Sequence, residues 1–82
     1  MKKIGTVSHY YGNIGVVIVE LSGKLSVGDK VKFESGKTEF EQTIESMQME
    51  HKDIDSAKKG DVVGIKVNEK VSEGAEVSLM EE

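Results

Sequence analysis

Hydrophobic and polar residues alternate over several short stretches of this chain, and glycine-containing turns separate the stretches. Side chains of an extended strand point alternately to opposite faces, so such alternation indicates a strand with one buried face. Six strands are predicted in this way, at residues 4–11, 14–21, 30–34, 40–49, 62–67 and 76–80. Since the chain has no proline and no long helical pattern, the strands predict a small all-β antiparallel barrel.

The second predicted strand is apolar on both of its faces. Because the charged Glu20 marks one face as the outer one, we expect the opposite face to lie in the core. The outer residues are then Ile14, Val16 and Ile18, and the inner residues are Val17, Val19 and Leu21. An outward apolar patch of this kind marks a contact surface, unless segment 50–59 or the chain termini fold over it.

The fourth predicted strand changes phase along its length. Phe40 and Ile44 share one parity, whereas Met47 and Met49 share the other. A bulge near residues 45–46 would turn all four side chains inward, as bulges do at the corners of barrels.

The polar segment 50–59 is too short for an independent helix, but one helical turn would point Ile54 and Ala57 into the core. Turns are also predicted at Gly12-Asn13 and at the recurring pairs of glycine with Asp or Ala, which are Gly28-Asp29, Gly60-Asp61 and Gly74-Ala75. The predicted core consists of Val17, Val19, Leu21, Val31, Phe33, Ile44, Val63, Ile65 and Val77.

Length and composition narrow the classes of protein. The 82 residues allow a single domain, residues 1–82. The chain has eleven lysines, no arginine, fifteen acidic residues and a net charge of −4, which disfavours general nucleic-acid binding. The longest apolar run, Val16–Val19, is too short to span a membrane, so we expect a soluble, cytoplasmic protein.

Few residues suggest catalysis or a cofactor. The run Gly36-Lys37-Thr38 lacks the first glycine of a phosphate-binding loop and is interpreted as a hairpin turn, so no GTP binding is expected. The two histidines, His9 and His51, would have to converge with a carboxylate to build a catalytic or metal site. We therefore expect no enzyme activity, no metal and no cofactor.

Two adjacent tyrosines lie at the end of the first predicted strand. By strand parity either Tyr10 or Tyr11 faces outward. An outward tyrosine is either a rim residue of the barrel or a surface on which a nucleotide base can stack.

Three motifs carry a family resemblance, namely residues 25–31 (Leu-Ser-Val-Gly-Asp-Lys-Val), 46–51 (Ser-Met-Gln-Met-Glu-His) and 57–65 (Ala-Lys-Lys-Gly-Asp-Val-Val-Gly-Ile). In this order and spacing they resemble the second, β-barrel domain of translational GTPases of the elongation factor Tu and elongation factor 1-alpha group. The chain is most similar to stand-alone elongation-factor-like proteins that have this barrel without a GTPase domain.

The resemblance implies a six-stranded antiparallel Greek-key barrel of the translation-factor domain II type. In the tRNA-carrying factors this barrel also holds the aminoacylated end of tRNA, and the corresponding pocket here would lie near Gln48, Met49, His51, Asp61 and Val62. Gln48 stands where the carriers usually have Glu, and Val62 where they usually have Asn. Because these changes remove polar contacts, we do not expect aminoacyl-tRNA binding to be retained.

These inferences predict a non-enzymatic binding module that contacts a protein or RNA-containing partner of the translation or RNA-modification machinery. The alternative is direct binding of an RNA or tRNA end through the edge from Gln48 to His51. The residues predicted to bind a partner are Tyr10, Tyr11, Val16, Ile18, Gln48, Met49, His51 and Asp61.

Overall fold

A computed structural model of the chain describes residues 2–36 and 38–80. The strands are β1 (Lys2–Tyr11), β2 (Val16–Leu21), β3 (Leu25–Ser26), β4 (Lys30–Ser35), β5 (Thr38–Thr43), β6 (Met47–Met49), β7 (Lys52–Ile54), β8 (Ser56–Ala57), β9 (Val62–Lys66) and β10 (Glu76–Leu79). Eight of them form one antiparallel sheet in the order β5-β4-β10-β1-β2-β9-β6-β7, and β3 pairs with β8. In the described part of the chain, no helix is long and apolar enough to cross a membrane.

The inner faces of the strands build a single hydrophobic core. Phe33 is its largest fully buried side chain, and its ring stacks on the ring of Phe40 with centroids 5.1 Å apart. All nine residues predicted to form the core are buried in it, namely Val17, Val19, Leu21, Val31, Phe33, Ile44, Val63, Ile65 and Val77. The predicted parity of β2 is therefore confirmed.

The all-β, antiparallel prediction is confirmed, but residues 2–36 and 38–80 form ten strands where six were predicted for the chain. The strand predicted at residues 40–49 is interrupted at 44–46, which belong to no strand and separate β5 from β6. Ile44 and Met47 are nevertheless both buried, and Phe40 and Met49 pack against the core. The break in the strand at residues 44–46 thus turns all four side chains inward, whereas a bulge was predicted to do so.

The helical turn predicted within segment 50–59 is wrong. Glu50 and His51 form a tight turn, so the chain returns as β7 beside β6, with Met49 opposite Lys52. The next residues pair with β3 as β8. Backbone groups that a helical turn would have satisfied internally are therefore bonded across strands, although Ile54 and Ala57 do pack inward as predicted.

The first hairpin differs in detail from its prediction. The positive φ angle falls at Gly15, at 65°, and not at Gly12 or Asn13. The carbonyl of Tyr11 accepts hydrogen bonds from the amides of both Ile14 and Gly15, so Ile14 belongs to the turn and β2 begins at Val16. As a result, the Ile14 side chain is 65% exposed at the end of the hairpin.

The recurring glycine pairs form three turns of the same geometry, spanning residues 26–29, 58–61 and 72–75. In each turn the amide of the fourth residue donates to the carbonyl of the first, and the glycine at the third position has a φ angle of 88–97°. Glycine is favoured there because type II turns need a positive φ at that position. In the first two turns the Asp carboxylate also accepts the amide of the first residue.

One side chain joins the edge strand β5 to the end of β9. Gln42, which is 7% exposed, donates from Nε2 to the carbonyl of Lys66 and accepts from the amide of Asn68. The β5 edge of the curled sheet is thereby held against the segment that follows β9.

An exposed charge cluster covers the outer side of β4 and β5. The Lys32 ammonium lies 2.9 Å from Glu39 and 3.6 Å from Glu34. The hydrogen bond with Glu39 raises the pKa of Lys32, and the same bond lowers the pKa of Glu39. Charged side chains of this kind discourage an edge strand such as β5 from pairing with another chain.

The hairpin predicted at Gly36-Lys37-Thr38 connects β4 to β5, with Gly36 at a φ angle of 53°. Lys37 itself lies outside the described residues.

Candidate functional site

Outward residues of four neighbouring strands meet on one face of the sheet. Tyr11 of β1 is in register with Val16 of β2, and Ile18 of β2 is in register with Gly64 of β9. Gly64 is in turn in register with Gln48 of β6. Residues in register on adjacent strands point to the same side of a sheet, so these five positions form a continuous surface.

This surface is the floor of an open groove with a volume of about 420 Å³. Pockets for small ligands are commonly of this size. The residues that line the groove are Tyr11, Ile14, Val16, Ile18, Gln48, Glu50, His51, Val62, Val63 and Gly64. Ile14, Tyr11 and Val62 are 65%, 50% and 47% exposed, so the groove presents apolar surface to solvent.

Gly64 contributes bare backbone to the floor of the groove. A Cβ atom built there would lie 3.5 Å from Val16 Cγ1, 3.6 Å from Ile18 Cδ1 and 3.8 Å from the Gln48 carbonyl oxygen. These are ordinary van der Waals distances, so no neighbouring atom forbids a side chain at this position. The glycine therefore leaves a slot the size of a methyl group between the apolar side chains.

The rim of the groove is a strained turn. Glu50 and His51 connect β6 to β7 and have φ angles of 53° and 65°. A two-residue hairpin with both central φ angles positive is a type I′ turn, for which Asn-Gly is the favoured sequence. Residues other than glycine pay a conformational cost in this region. The turn places a carboxylate and an imidazole beside the apolar floor.

Gln48 brings a hydrogen-bonding group to the groove. Its Nε2 donates to Asp53 Oδ1 on the neighbouring strand at 3.0 Å. An amide has two N–H donors and an oxygen acceptor, so a ligand can still bond to the remaining donor and to Oε1. The Asp53 contact fixes the direction of the amide.

His9 lies next to the Tyr11 end of the groove on β1. Its Nδ1 is 3.2 Å from Glu73 Oε2, and its ring centroid is 6.1 Å from that of Tyr11 with the planes tilted by 33°. The imidazole of His9 and the carboxylate of Glu73 give this end of the groove a polar border.

The groove unites five of the eight residues predicted to bind a partner, which are Tyr11, Val16, Ile18, Gln48 and His51. The structure does not bring the other three to it. Tyr10 and Met49 pack against the core because they have the opposite parity to Tyr11 and Gln48. The Asp61 carboxylate is bonded to the amide of Lys58 within its own turn.

Among the described residues that line the groove, five were not predicted as site residues, namely Ile14, Glu50, Val62, Val63 and Gly64. Gly64 shares its outward parity with Val62 and Lys66, which is the signal that could have identified it. Glu50 directly precedes His51, but its position on the rim depends on the positive φ angles of the turn. A Glu-His pair does not indicate those angles, because positive φ angles are uncommon for residues other than glycine.

The lining of the groove combines apolar surface with a few polar groups. Among the described residues, no three His, Cys, Asp or Glu side chains are grouped closely enough to hold a metal ion. The groove lining found in that same part of the chain contains no lysine. Its side chains offer apolar contact, two aromatic planes, an amide and one carboxylate.

Comparisons with known proteins agree with this architecture. The chain is 42% identical over 82 residues to an uncharacterized protease of Methanocaldococcus jannaschii, and it spans 20% of the length of that relative. Two crystal structures of the C-terminal domain of a candidate U32 peptidase from Geobacillus thermoleovorans have the same fold, each at 23% identity. Their TM-scores are 0.90 and 0.91; the matches cover 95% and 98% of this chain and 99% and 93% of those domains.

A family model is matched over most of the chain. Residues 12–78 match the family described as elongation factor Tu domain 2, as the three sequence motifs indicated. This range includes the groove strands β2, β6 and β9, as well as the Glu50–His51 turn. The chain therefore belongs to the elongation factor Tu domain 2 family.

Proposed function

We propose that this chain is a non-enzymatic binding module that holds a short extended segment of a protein partner in the groove. The observation that carries the proposal is the open apolar groove, whose floor is formed by the half-buried Val16 and Ile18 beside the bare backbone of Gly64. Burial of apolar surface contributes about 25 cal/mol for each Å² removed from water. A contiguous patch of this kind on a small domain marks a contact surface.

The charges around the groove favour a protein segment over a nucleic acid. Glu50 lines the groove, Asp53 is bonded to Gln48, and Glu20 is in register with Val62. Lys66, in register with Val16, is a positive neighbour on the same face. Phosphate groups are recognised by clustered lysine and arginine, whereas a peptide backbone brings no net charge.

The relatives provide a context in which such a groove would be used. One relative is named a protease, and the structurally similar domains are C-terminal domains of a candidate peptidase. A domain of this kind, placed beside a catalytic portion, would serve by holding a segment of another polypeptide. The groove is suited to that task because its floor is apolar.

Direct binding of an RNA or tRNA end is the second candidate function. The supporting observation is that Gln48 and His51, the predicted RNA-binding edge, line the same groove as Tyr11. Aromatic side chains stack on bases of any sequence. A ribonucleoprotein of the translation or RNA-modification machinery would be the corresponding partner. The acidic surroundings of the groove weigh against this candidate.

The closed Greek-key barrel implied by the family resemblance is part of the proposal. Its support is the contact of Gln42 with Lys66 and Asn68, which holds the β5 edge against the segment after β9.

Nuclear magnetic resonance titration of the isotopically labelled chain tests the proposed function. The probe is ribonuclease A that has been reduced and carbamidomethylated, which is a permanently unfolded polypeptide. At about 0.15 M salt, where exposed charges are largely screened, we expect shifts confined to the backbone amides around Ile18, Gln48 and Gly64. The variant Ile18→Lys should lose the shifts while keeping its fold.

Thr6→Lys is the matched control. Thr6 lies on the same outer face of the sheet, in register with Glu20, and does not line the groove. This variant should bind the probe like the unmodified chain. Absence of shifts, or shifts that survive Ile18→Lys, would contradict the proposal.

The same titration with a single-stranded RNA ending in CCA distinguishes the second candidate. We expect only non-specific affinity, weaker than about 1 μM and steeply reduced by salt. Submicromolar binding that grows with RNA length would replace the protein partner by an RNA partner.

A further inference from the structure

The floor of the groove is apolar, whereas the Glu50–His51 turn at its rim is polar. A ligand that fills the groove should therefore combine an apolar part with a polar group. Val16 and Ile18 offer a narrow apolar slot above Gly64. Glu50 and His51 line the same groove with a carboxylate and an imidazole, and Tyr11, in register with Val16, lines it from β1. Building on the proposed function, we infer that the groove selects a protein segment that inserts an arginine side chain, with its stem in the slot and its guanidinium at the Glu50 carboxylate.

The slot fits a chain of methylene groups. A Cβ placed on Gly64 would be in contact with Val16 and Ile18 at 3.5 and 3.6 Å. Methylene groups of a ligand stem can take the place of that missing atom. Arginine side chains commonly bury their stem on apolar surface while the charged end stays at a polar border.

The charges on this face are complementary to a cation. Glu50 is the one acidic residue in the groove lining identified among the described residues. Glu20 is in register with Val62, so a second carboxylate follows on the same outer face. Lys66 lies on the other side, beside Val16, which leaves the Glu50 end of the groove for the positive group. Guanidinium groups bind carboxylates in a bidentate geometry and stack on aromatic rings.

The geometry of the rim supports a role for its side chains. The turn would be more stable as Asn-Gly, yet Glu50 and His51 adopt φ angles of 53° and 65°. Strained residues of this kind cluster at binding sites, where the surrounding structure holds them. Replacing both residues by Asn-Gly should therefore relieve the strain and remove the recognition of the cation.

A pair of matched peptides tests the inference. Acetyl-Gly-Val-Leu-Arg-Val-Gly-amide is compared with the same peptide containing citrulline, which has nearly the shape of arginine without its charge. In the titration described above, we expect the arginine peptide to bind about tenfold more tightly than the citrulline peptide, as expected for a charge-assisted contact. The largest shifts should lie at the amides of Gln48 and Gly64.

Variants of the rim provide the controls. Glu50→Gln and the double variant Glu50→Asn/His51→Gly should bring the two peptides to within about twofold of each other. The double variant should also unfold at a higher urea concentration than the unmodified chain, which shows that its loss of selectivity is not a loss of fold. Glu76→Gln should keep the preference, because Glu76 is on β10, separated from β6 by three strands.

The outcomes separate this inference from the proposed function. If Ile18→Lys abolishes binding of both peptides but Glu50→Gln leaves their ratio unchanged, the arginine inference is overturned and the protein-binding groove stands. Equal binding of the two peptides to the unmodified chain also overturns it. If neither peptide binds while the unfolded ribonuclease still does, the groove takes a segment of other chemistry and the inference is wrong.

Discussion

Two strand glycines, Gly5 and Gly64, meet different surroundings on the same sheet. A Cβ on Gly5 would lie 2.7 Å from Val19 Cγ1 and 2.9 Å from the Glu20 carbonyl oxygen. The carbonyl belongs to the paired strand β2 and cannot move without disturbing the ladder. A Cβ on Gly64 meets nothing closer than 3.5 Å. The first glycine is therefore required by the fold, and the second shapes the groove.

Alanine substitutions should separate these two roles. Gly5→Ala should lower the free energy of unfolding by about 1–3 kcal/mol, because the added methyl group overpacks the contact with β2. Gly64→Ala should be neutral or raise it by up to about 1 kcal/mol, since alanine restricts the unfolded chain. Urea denaturation followed by circular dichroism measures both. A larger loss for Gly64→Ala than for Gly5→Ala would contradict the assignment.

Parity predicted individual site residues only where strands are regular. Val16 and Ile18 were placed on the outer face because Glu20 shares their parity, and the groove confirms their position on that face. Met49 and Asp61 were carried over from the resemblance, and local packing and a local hydrogen bond hold their side chains elsewhere. Gly64 was not predicted as part of the groove because it has no side chain that could be recognised as a binding group. It contributes the space that a side chain would have filled between Val16 and Ile18.

At the scale of strands and turns, Gln42 connects β5 with the end of β9, two strands that are not neighbours in the sheet. β5 and β7 are the two edges of the sheet. The Gln42 amide imitates a strand partner, because it donates to the carbonyl of Lys66 and accepts from the amide of Asn68. On the β5 side of the sheet, where no further strand pairs, this buried side chain thus supplies two hydrogen bonds to the backbone of another segment.

Gln42→Leu should lower the free energy of unfolding by about 1–3 kcal/mol, since it leaves the carbonyl of Lys66 and the amide of Asn68 without their partner. Gln48→Leu is the matched control, because its hydrogen bond to Asp53 is exposed and should matter much less. Hydrogen exchange of the Asn68 amide reports the contact directly. Unchanged protection of that amide in Gln42→Leu would show that the contact does not exist in solution.

Turns were predicted better than strand ends. The Gly-Asp pairs at residues 28–29 and 60–61 adopt the same turn because only glycine is relaxed at that φ and the carboxylate bonds to a local amide. The Glu50–His51 turn carries no such signal, so the hairpin of β6 and β7 was not predicted, and a helical turn was predicted around residues 54–57 instead. β6 also pairs with β9, and β8 pairs with β3, and the sequence of segment 50–59 does not record these longer-range pairings.

At the scale of the whole molecule, one core couples all of the strands. Phe33 is fully buried within it and stacks on Phe40, which is half-buried. The core could be predicted because one face of each regular strand is apolar. The family could be predicted because the three motifs occur together in the right order, and the match over residues 12–78 confirms it.

Truncation of the core should therefore unfold the domain as one unit. Phe33→Ala should lower the free energy of unfolding by about 3–5 kcal/mol, whereas Phe40→Ala should cost less because its ring is partly solvated. Circular dichroism and tyrosine fluorescence should report the same urea midpoint for each variant, as expected of a two-state domain. Separate midpoints for the two probes would indicate that part of the sheet unfolds independently.

The pairing of β1 with β10 brings the two ends of the described chain together. Lys2 is in register with Leu79, and Lys3 with Ser78, on adjacent antiparallel strands. Domains whose ends lie side by side tolerate circular permutation and insertion into the loops of other proteins. A short linker from residue 80 to residue 2 would rejoin the chain, and the exposed Gly12–Asn13 turn offers a place to open it. The same arrangement would allow the domain to be inserted into a loop of a larger polypeptide, because its first and last strands would connect to neighbouring points of the host chain.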